Sequence, residues 1–118
     1  MNILLATPAF KEKGMGAPDI VRLSIGLVNK GHKVYVLSTN VKGSPLHEVL
    51  SGVEIYRHKP IFTLPLPYAV CFPLRQLMTL IKEHKIEIVH TIYEHTAISA
   101  TVSFYSKISK APPYILEI

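Results

Sequence analysis

Apolar runs and helical stripes alternate along this chain. Residues 2–7, "NILLAT", are almost wholly apolar, as befits a strand buried on both faces. From Pro18 the apolar positions recur at helical spacing: Ile20, Leu23, Leu27 and Val28, with Val21 and Ile25 widening the stripe. Proline's fixed φ suits a first helical position, and Gly31 can supply the left-handed residue that ends the helix. "KVYVLST" (33–39) reads as a second buried strand. Ser44–Pro45 is expected to open a short helical turn through "LHEVL", closed by Gly52. "VEIYRH" (53–58) alternates more, which predicts a strand nearer a sheet edge. Residues 60–73, "PIFTLPLPYAVCFP", hold four prolines and are expected to lack regular structure. Leu74, Leu77, Met78 and Ile81 mark a second helix ending near Lys85, and "IEIVHT" (86–91) a fourth strand. Ala97, Ala100, Thr101, Phe104 and Ile108 mark a third helix, with Lys107 and Lys110 favourably placed at its negative end. "PYILEI" (113–118) completes the pattern as a fifth strand.

Strands alternating with helices imply a Rossmann-like, three-layer α/β domain with a mostly parallel sheet and right-handed crossovers. The expected strand order is 3-2-1-4-5, in one domain spanning residues 1–118. The order reverses between the first and fourth strands, so the loops that follow them border one crevice. Those loops are residues 8–18 and 91–96, and "GMGAPD" then stands opposite "HTIYEH".

Composition narrows the class. With 48% hydrophobic and 18% charged residues, the chain is globular rather than disordered. A net charge of +5 is compatible with phosphate, anionic lipid or nucleic acid, and equally with an ordinary lysine-rich surface. No block of like charge and no aromatic–basic interleave is present, so nucleic acid is not expected as a partner. One cysteine, Cys71, excludes an internal disulfide and fits a reducing compartment. No basic segment precedes the first apolar run, so a signal peptide is not expected and a cytoplasmic location is. The apolar loop at 60–73 either folds back on its own core or meets a lipid or hydrophobic acceptor, which would add peripheral membrane contact.

The glycine loop is not a dinucleotide fingerprint. Asp19 stands where the third glycine belongs, and the second strand ends "LSTN" without the carboxylate that binds ribose. No Lys–Ser/Thr pair completes a P-loop. Two readings remain: Gly14, Gly16 and the helix N-terminus bind a phosphate or sugar hydroxyl, or the glycines only permit a turn. In "HTIYEHT", His90 ends an apolar strand, while Tyr93, Glu94 and His95 fall in the loop and can hydrogen-bond a polar ligand. The histidines stand five apart, so they do not share a helix face as zinc ligands at i, i+4 do; no metal is expected, and no other cofactor. His32, His47, His58 and His84 read as scattered surface residues.

Taken together, "ILLATPAF", "KGMGAPDIVRLSIGLVNKGHKVYVLST", "GVEIYRHKP", "IEIVHTIYEHTAISA" and "PPYILEI" resemble the N-terminal domain of a GT-B glycosyltransferase of the large retaining family four. Members of that family usually read "RGHEVTVLT", "GVRVYR.P" and "DIVHAH" at the corresponding places. The resemblance covers essentially the whole chain. It implies the acceptor-binding half of an enzyme that transfers a sugar from a nucleotide-sugar donor to a hydroxyl of a sugar or lipid-linked acceptor. It also implies that a donor-binding C-terminal domain, absent from these residues, holds most of the nucleotide-sugar. By the same resemblance Gly14 and Gly16 approach the donor phosphates, and His90 matches the first histidine of "VHAH". The second falls on Ile92, so His95 takes its place from further along the loop or the role is absent. The alternative is a stand-alone, non-catalytic α/β binding or interaction domain derived from such an enzyme. The last strand, at a sheet edge with Glu117 its only charge, is expected to pair with a second copy as a homodimer.

Overall fold

The computed structural model describes residues 1–7, 18–39, 45–59, 62–63, 69–70, 73–92, 97–108 and 112–117. The elements are β1 (Asn2–Thr7), α1 (Pro18–Asn29), β2 (Lys33–Thr39), β3 (His47–Leu50), β4 (Val53–His58), β5 (Phe62–Thr63), β6 (Ala69–Val70), α2 (Leu74–Glu83), β7 (Ile88–Ile92), α3 (Ala97–Ile108) and β8 (Tyr114–Glu117). A six-stranded sheet runs β3-β4-β2-β1-β7-β8, parallel except at β3. Without β3 this is the order 3-2-1-4-5 expected from the apolar runs.

Strand alternation divides the core in two. Ile3, Leu5, Val34, Val36, Val53 and Ile55 face one side and pack with Ile20 and Val21 of α1. Leu4, Ala6, Leu37 and Val89 face the other, under Leu77 and Leu80 of α2 and Ile98, Val102 and Tyr105 of α3. Because both faces are covered, β1 and β2 need apolar residues at consecutive positions, which explains their runs. The result is a three-layer Rossmann-like α/β fold.

Both long turns that end α1 and α2 have a definite cause. Gly31 takes φ +92, and the His32 N–H reaches back to the Leu27 carbonyl, the expected glycine stop. At the end of α2 a lysine does the same: Lys85 has φ 51, and the Ile86 N–H donates to the Ile81 carbonyl. Asn2 supports that turn, its Nδ2 donating to the His84 carbonyl at 2.9 Å and the Lys85 carbonyl at 3.3 Å.

The structure corrects the sequence reading in several places. Residues 47–50 are not a helical turn but an edge strand, antiparallel to β4 with His47 opposite Tyr56 and Leu50 opposite Val53. Ser51 (φ 50) and Gly52 (φ +84) form the two-residue left-handed turn that joins a hairpin, and this local geometry decides against a helix. β4 consequently lies one strand in from the edge, between β2 and β3. The proline-rich segment contains a small antiparallel pair, Phe62 opposite Val70 and Thr63 opposite Ala69. On the helices the apolar stripe is narrower than its sequence: Leu23, Met78 and Phe104 are exposed, while Ser24 and Thr101 are buried. Ser24 fits because its hydroxyl donates to the Val21 carbonyl at 2.7 Å.

Candidate functional site

In a parallel sheet the helix after each strand starts at the strand's carboxyl end. β1 and β7 are neighbours, with Leu5 opposite His90 and Ala6 opposite Thr91, yet their following helices lie on opposite faces. This is the switch point, and the amino ends of α1 and α3 both belong to that end of the sheet. Free N–H groups and the positive end of the helix dipole suit such a place to phosphate or sugar hydroxyls.

The rim of the sheet there is polar. Thr7, Ser38 and Arg57 stand in one register row across β1, β2 and β4, all on the α1 side and all buried. On the opposite side Thr39 and Thr91 are buried in the same way. Ser38 donates to the Thr39 carbonyl at 3.2 Å and Thr91 to the Ile115 carbonyl at 3.3 Å. The hydroxyls thus end each apolar strand without stranding a polar group. The sequence carried a signal for this: "NILLAT", "KVYVLST" and "IEIVHT" each end in threonine.

His90 is half-buried on β7, between Leu5 of β1 and Ile115 of β8, and shares the α1-facing side with Ile88. Of the expected site residues it alone can be placed. Gly14, Gly16, Tyr93, Glu94 and His95 lie outside the described residues, as does Cys71. Ile92, where the second family histidine would stand, is the last residue of β7. Among the described residues there is no group of three or more His, Cys, Asp or Glu that could hold a metal ion.

Two polar features escaped the sequence reading. The first is Arg57, whose side chain is 2% exposed; its Nη1 donates to Glu48 Oε1 at 2.7 Å and to the Pro45 carbonyl at 3.0 Å. With the Arg57 N–H also donating to the Leu46 carbonyl, one residue ties β3 and its approach to the sheet. The second lies at the opposite, amino end of the strands. Tyr56 donates to Glu54 at 2.5 Å, so its oxygen is left to accept from His84 Nε2 at 3.2 Å, while His47 Nε2 donates to the same carboxylate at 3.1 Å. His84 also stacks on Tyr35, ring centroids 4.1 Å apart. Thus His84, read from sequence as a surface residue, is half-buried and pins the end of α2 to β2 and β4.

The Tyr56 hydrogen bond, followed by the neighbouring histidines, holds the Glu54 carboxyl below its ordinary value against an opposing effect of burial. Burial and Glu54 push the Tyr56 phenol upward. A carboxyl lowered by folding contributes stability above its unfolded value, and that contribution is lost as pH falls through the folded value. Tyr56→Phe is therefore expected to cost about 1 kcal/mol at neutral pH. The difference from the parent should shrink as pH falls from the ordinary carboxylate range through the lowered folded value of Glu54. Thermal unfolding of both chains across that range checks it; a constant difference would remove Glu54 from the account.

The fold and its polar switch point define a Rossmann-like domain of the GT-B kind. The sequence profile of Glycosyltransferase Family 4 matches residues 20–116, and the chain belongs to that family. Among solved structures it is similar to sucrose-phosphate synthase from Thermosynechococcus elongatus, with a TM-score of 0.68 at 14% identity. That match covers 98% of this chain and 32% of the synthase chain, so the residues here span about a third of that protein's length. No curated protein matches the chain significantly.

Proposed function

We propose that the chain is the acceptor-binding N-terminal domain of a retaining nucleotide-sugar glycosyltransferase, transferring a sugar to a hydroxyl of a sugar or lipid-linked acceptor. The observation that carries this reading is the family membership together with the switch point between β1 and β7, where two helix amino ends and a polar strand rim converge. In the reaction the bond between the anomeric carbon and the donor diphosphate breaks, the acceptor oxygen bonds that carbon, and the hydroxyl proton ends on the departing phosphate. The electrostatic task is to stabilise the leaving diphosphate. In this reading Gly14 and Gly16 approach it from one side with the α1 amino end, and a donor-binding domain beyond these residues supplies the other side. His90, with His95 from the loop, faces the acceptor, and Tyr93 and Glu94 hydrogen-bond its hydroxyls. The outer edge of β8, where Tyr114 and Ile115 are exposed, is the place for pairing with a second copy.

A second reading, a non-catalytic binding domain of the same descent, is favoured by one observation: Ile92 occupies the position of the family's second histidine. Both readings expect the 118-residue chain alone to turn over no UDP- or GDP-sugar. Turnover of such a panel by the purified chain, abolished by Gly16→Val, would contradict the division of labour proposed here. Adding a donor-binding domain of the family separates the two. Restored transfer that falls in His90→Ala supports the catalytic reading, and continued silence with acceptor still bound supports the other.

A further inference from the structure

β3 closes one side of the sheet, and among the described residues nothing pairs with its outer edge. The Arg57 N–H donates to the Leu46 carbonyl, and opposite residues in an antiparallel ladder alternate between bonded and open pairs. Glu48 with Ile55 and Leu50 with Val53 are therefore the bonded pairs, while His47 and Val49 turn their N–H and C=O groups outward. The side chains of these two lie on the α2 side of the sheet, opposite Tyr56 and Glu54. Val49 is 65% exposed there, and on the α1 side Leu46 is 44% exposed. The groups beside Val49 are acceptors. Tyr56 donates its proton to Glu54 Oε1, and His47 Nε2 donates to the same oxygen at 3.1 Å. Glu54 Oε2 and His47 Nδ1 make no hydrogen bond among the described residues. No lysine or arginine among them pairs with Glu54.

An open strand edge offers main-chain hydrogen bonds to an extended segment, and the side chains beside it select the segment. Neighbouring strands are about 4.8 Å apart, so Glu54 lies about 10 Å from a strand added to β3. A long basic side chain laid over Val49 spans that gap and brings its donors to Glu54 and His47. The next residue of the segment falls on the other face beside Leu46, which suits an apolar one. We propose that the β3 edge takes up, as a further strand, an extended partner segment in which basic and apolar residues alternate. General attraction does not supply this binding, since the chain carries a net charge of +5. A second copy fits less well. Its own β3, "HEVL", brings no lysine or arginine, and antiparallel pairing about Glu48 would set two carboxylates opposite each other. The inference goes beyond the glycosyltransferase reading, since strand addition requires no sugar and no transfer.

The test is fluorescence anisotropy of the full chain with a labelled heptapeptide that alternates arginine and valine. It should bind, more weakly as salt rises, and the same peptide with glutamate for arginine should not. Amide exchange locates the contact: His47 and Val49 should gain protection, while residues 114–117 at the other edge should not. Glu54→Gln should weaken binding at least about 10-fold, from the usual contribution of a hydrogen bond to a charged group. Glu87→Gln removes the same charge elsewhere and should bind like the parent. Methylating the backbone N–H groups of the peptide tests the main-chain bonds without altering the protein, and should weaken binding to a similar degree. Circular dichroism confirms that both variants are folded. The proposal is overturned by no binding at low salt, by equal binding of the glutamate peptide, or by protection only at other amides. It is equally overturned if Glu54→Gln or the methylated peptide shows no loss, or if Glu87→Gln shows the same loss. If His47 and Val49 gain protection as the chain alone is concentrated, the edge belongs to a second copy instead.

Discussion

Arg57→Ala should lower the stability of the domain by about 3 kcal/mol and loosen β3 more than any other strand. The guanidinium is almost wholly buried and holds Glu48 at 2.7 Å and the Pro45 carbonyl at 3.0 Å. Truncation loses a charge-assisted hydrogen bond, strips a donor from a backbone carbonyl and leaves a void on the α1 side of the sheet. Glu48 is 35% exposed and can take up water, so the loss stays at the lower end of the range for breaking a buried pair. Chemical denaturation gives the total. Amide exchange gives the location: the Glu48 and Leu50 amides should exchange faster while those of β1 stay protected. A change under half a kcal/mol, or uniform loosening, would show that Arg57 does not anchor the edge.

Leu4→Ala should cost about 3–4 kcal/mol. Leu4 is fully buried in the central strand, under the α2 and α3 layer with Leu37, Leu77 and Val89. β1 pairs on both sides, with β2 and β7, so the backbone has little freedom to collapse into the space. The denaturation midpoint should fall with an unchanged dependence on denaturant, the mark of lost stability rather than altered compactness. A loss under 1 kcal/mol would mean that the two faces of the sheet are less tightly filled than their burial suggests.

Much of this fold is legible in the sequence because burial on two faces is a strong constraint. Continuous apolar runs at 2–7 and 33–39, Pro18 at a helix start and Gly31 at its end leave few alternatives. What escaped depends on turn geometry or on partners that periodicity does not reveal. The segment 47–50 carries a helix-compatible composition, and only the Ser51–Gly52 turn and the ladder with β4 make it a strand. Met78 and Phe104 fit a helical stripe, yet among the described residues no element lies over the α2 and α3 layer, and both side chains are exposed. His84 looks isolated in sequence because Tyr35 and Tyr56, which receive it, lie 49 and 28 positions away. The switch point followed from strand order alone. Its histidine could be placed by register, whereas Gly14, Gly16, Tyr93, Glu94 and His95 fall between the periodic runs and outside the described residues.

If sugar-nucleotide and acceptor chemistry belongs at the carboxyl ends of β1 and β7, as proposed, ligand contacts mapped on the chain will fall there. With backbone amides assigned, a UDP- or GDP-sugar and then a sugar acceptor are titrated in. Shifts should concentrate at residues 14–18 and 90–95 and at the amino ends of α1 and α3. Shifts centred instead on Arg57 and His58, or around His47, Tyr56 and His84 at the opposite end of the sheet, would contradict it.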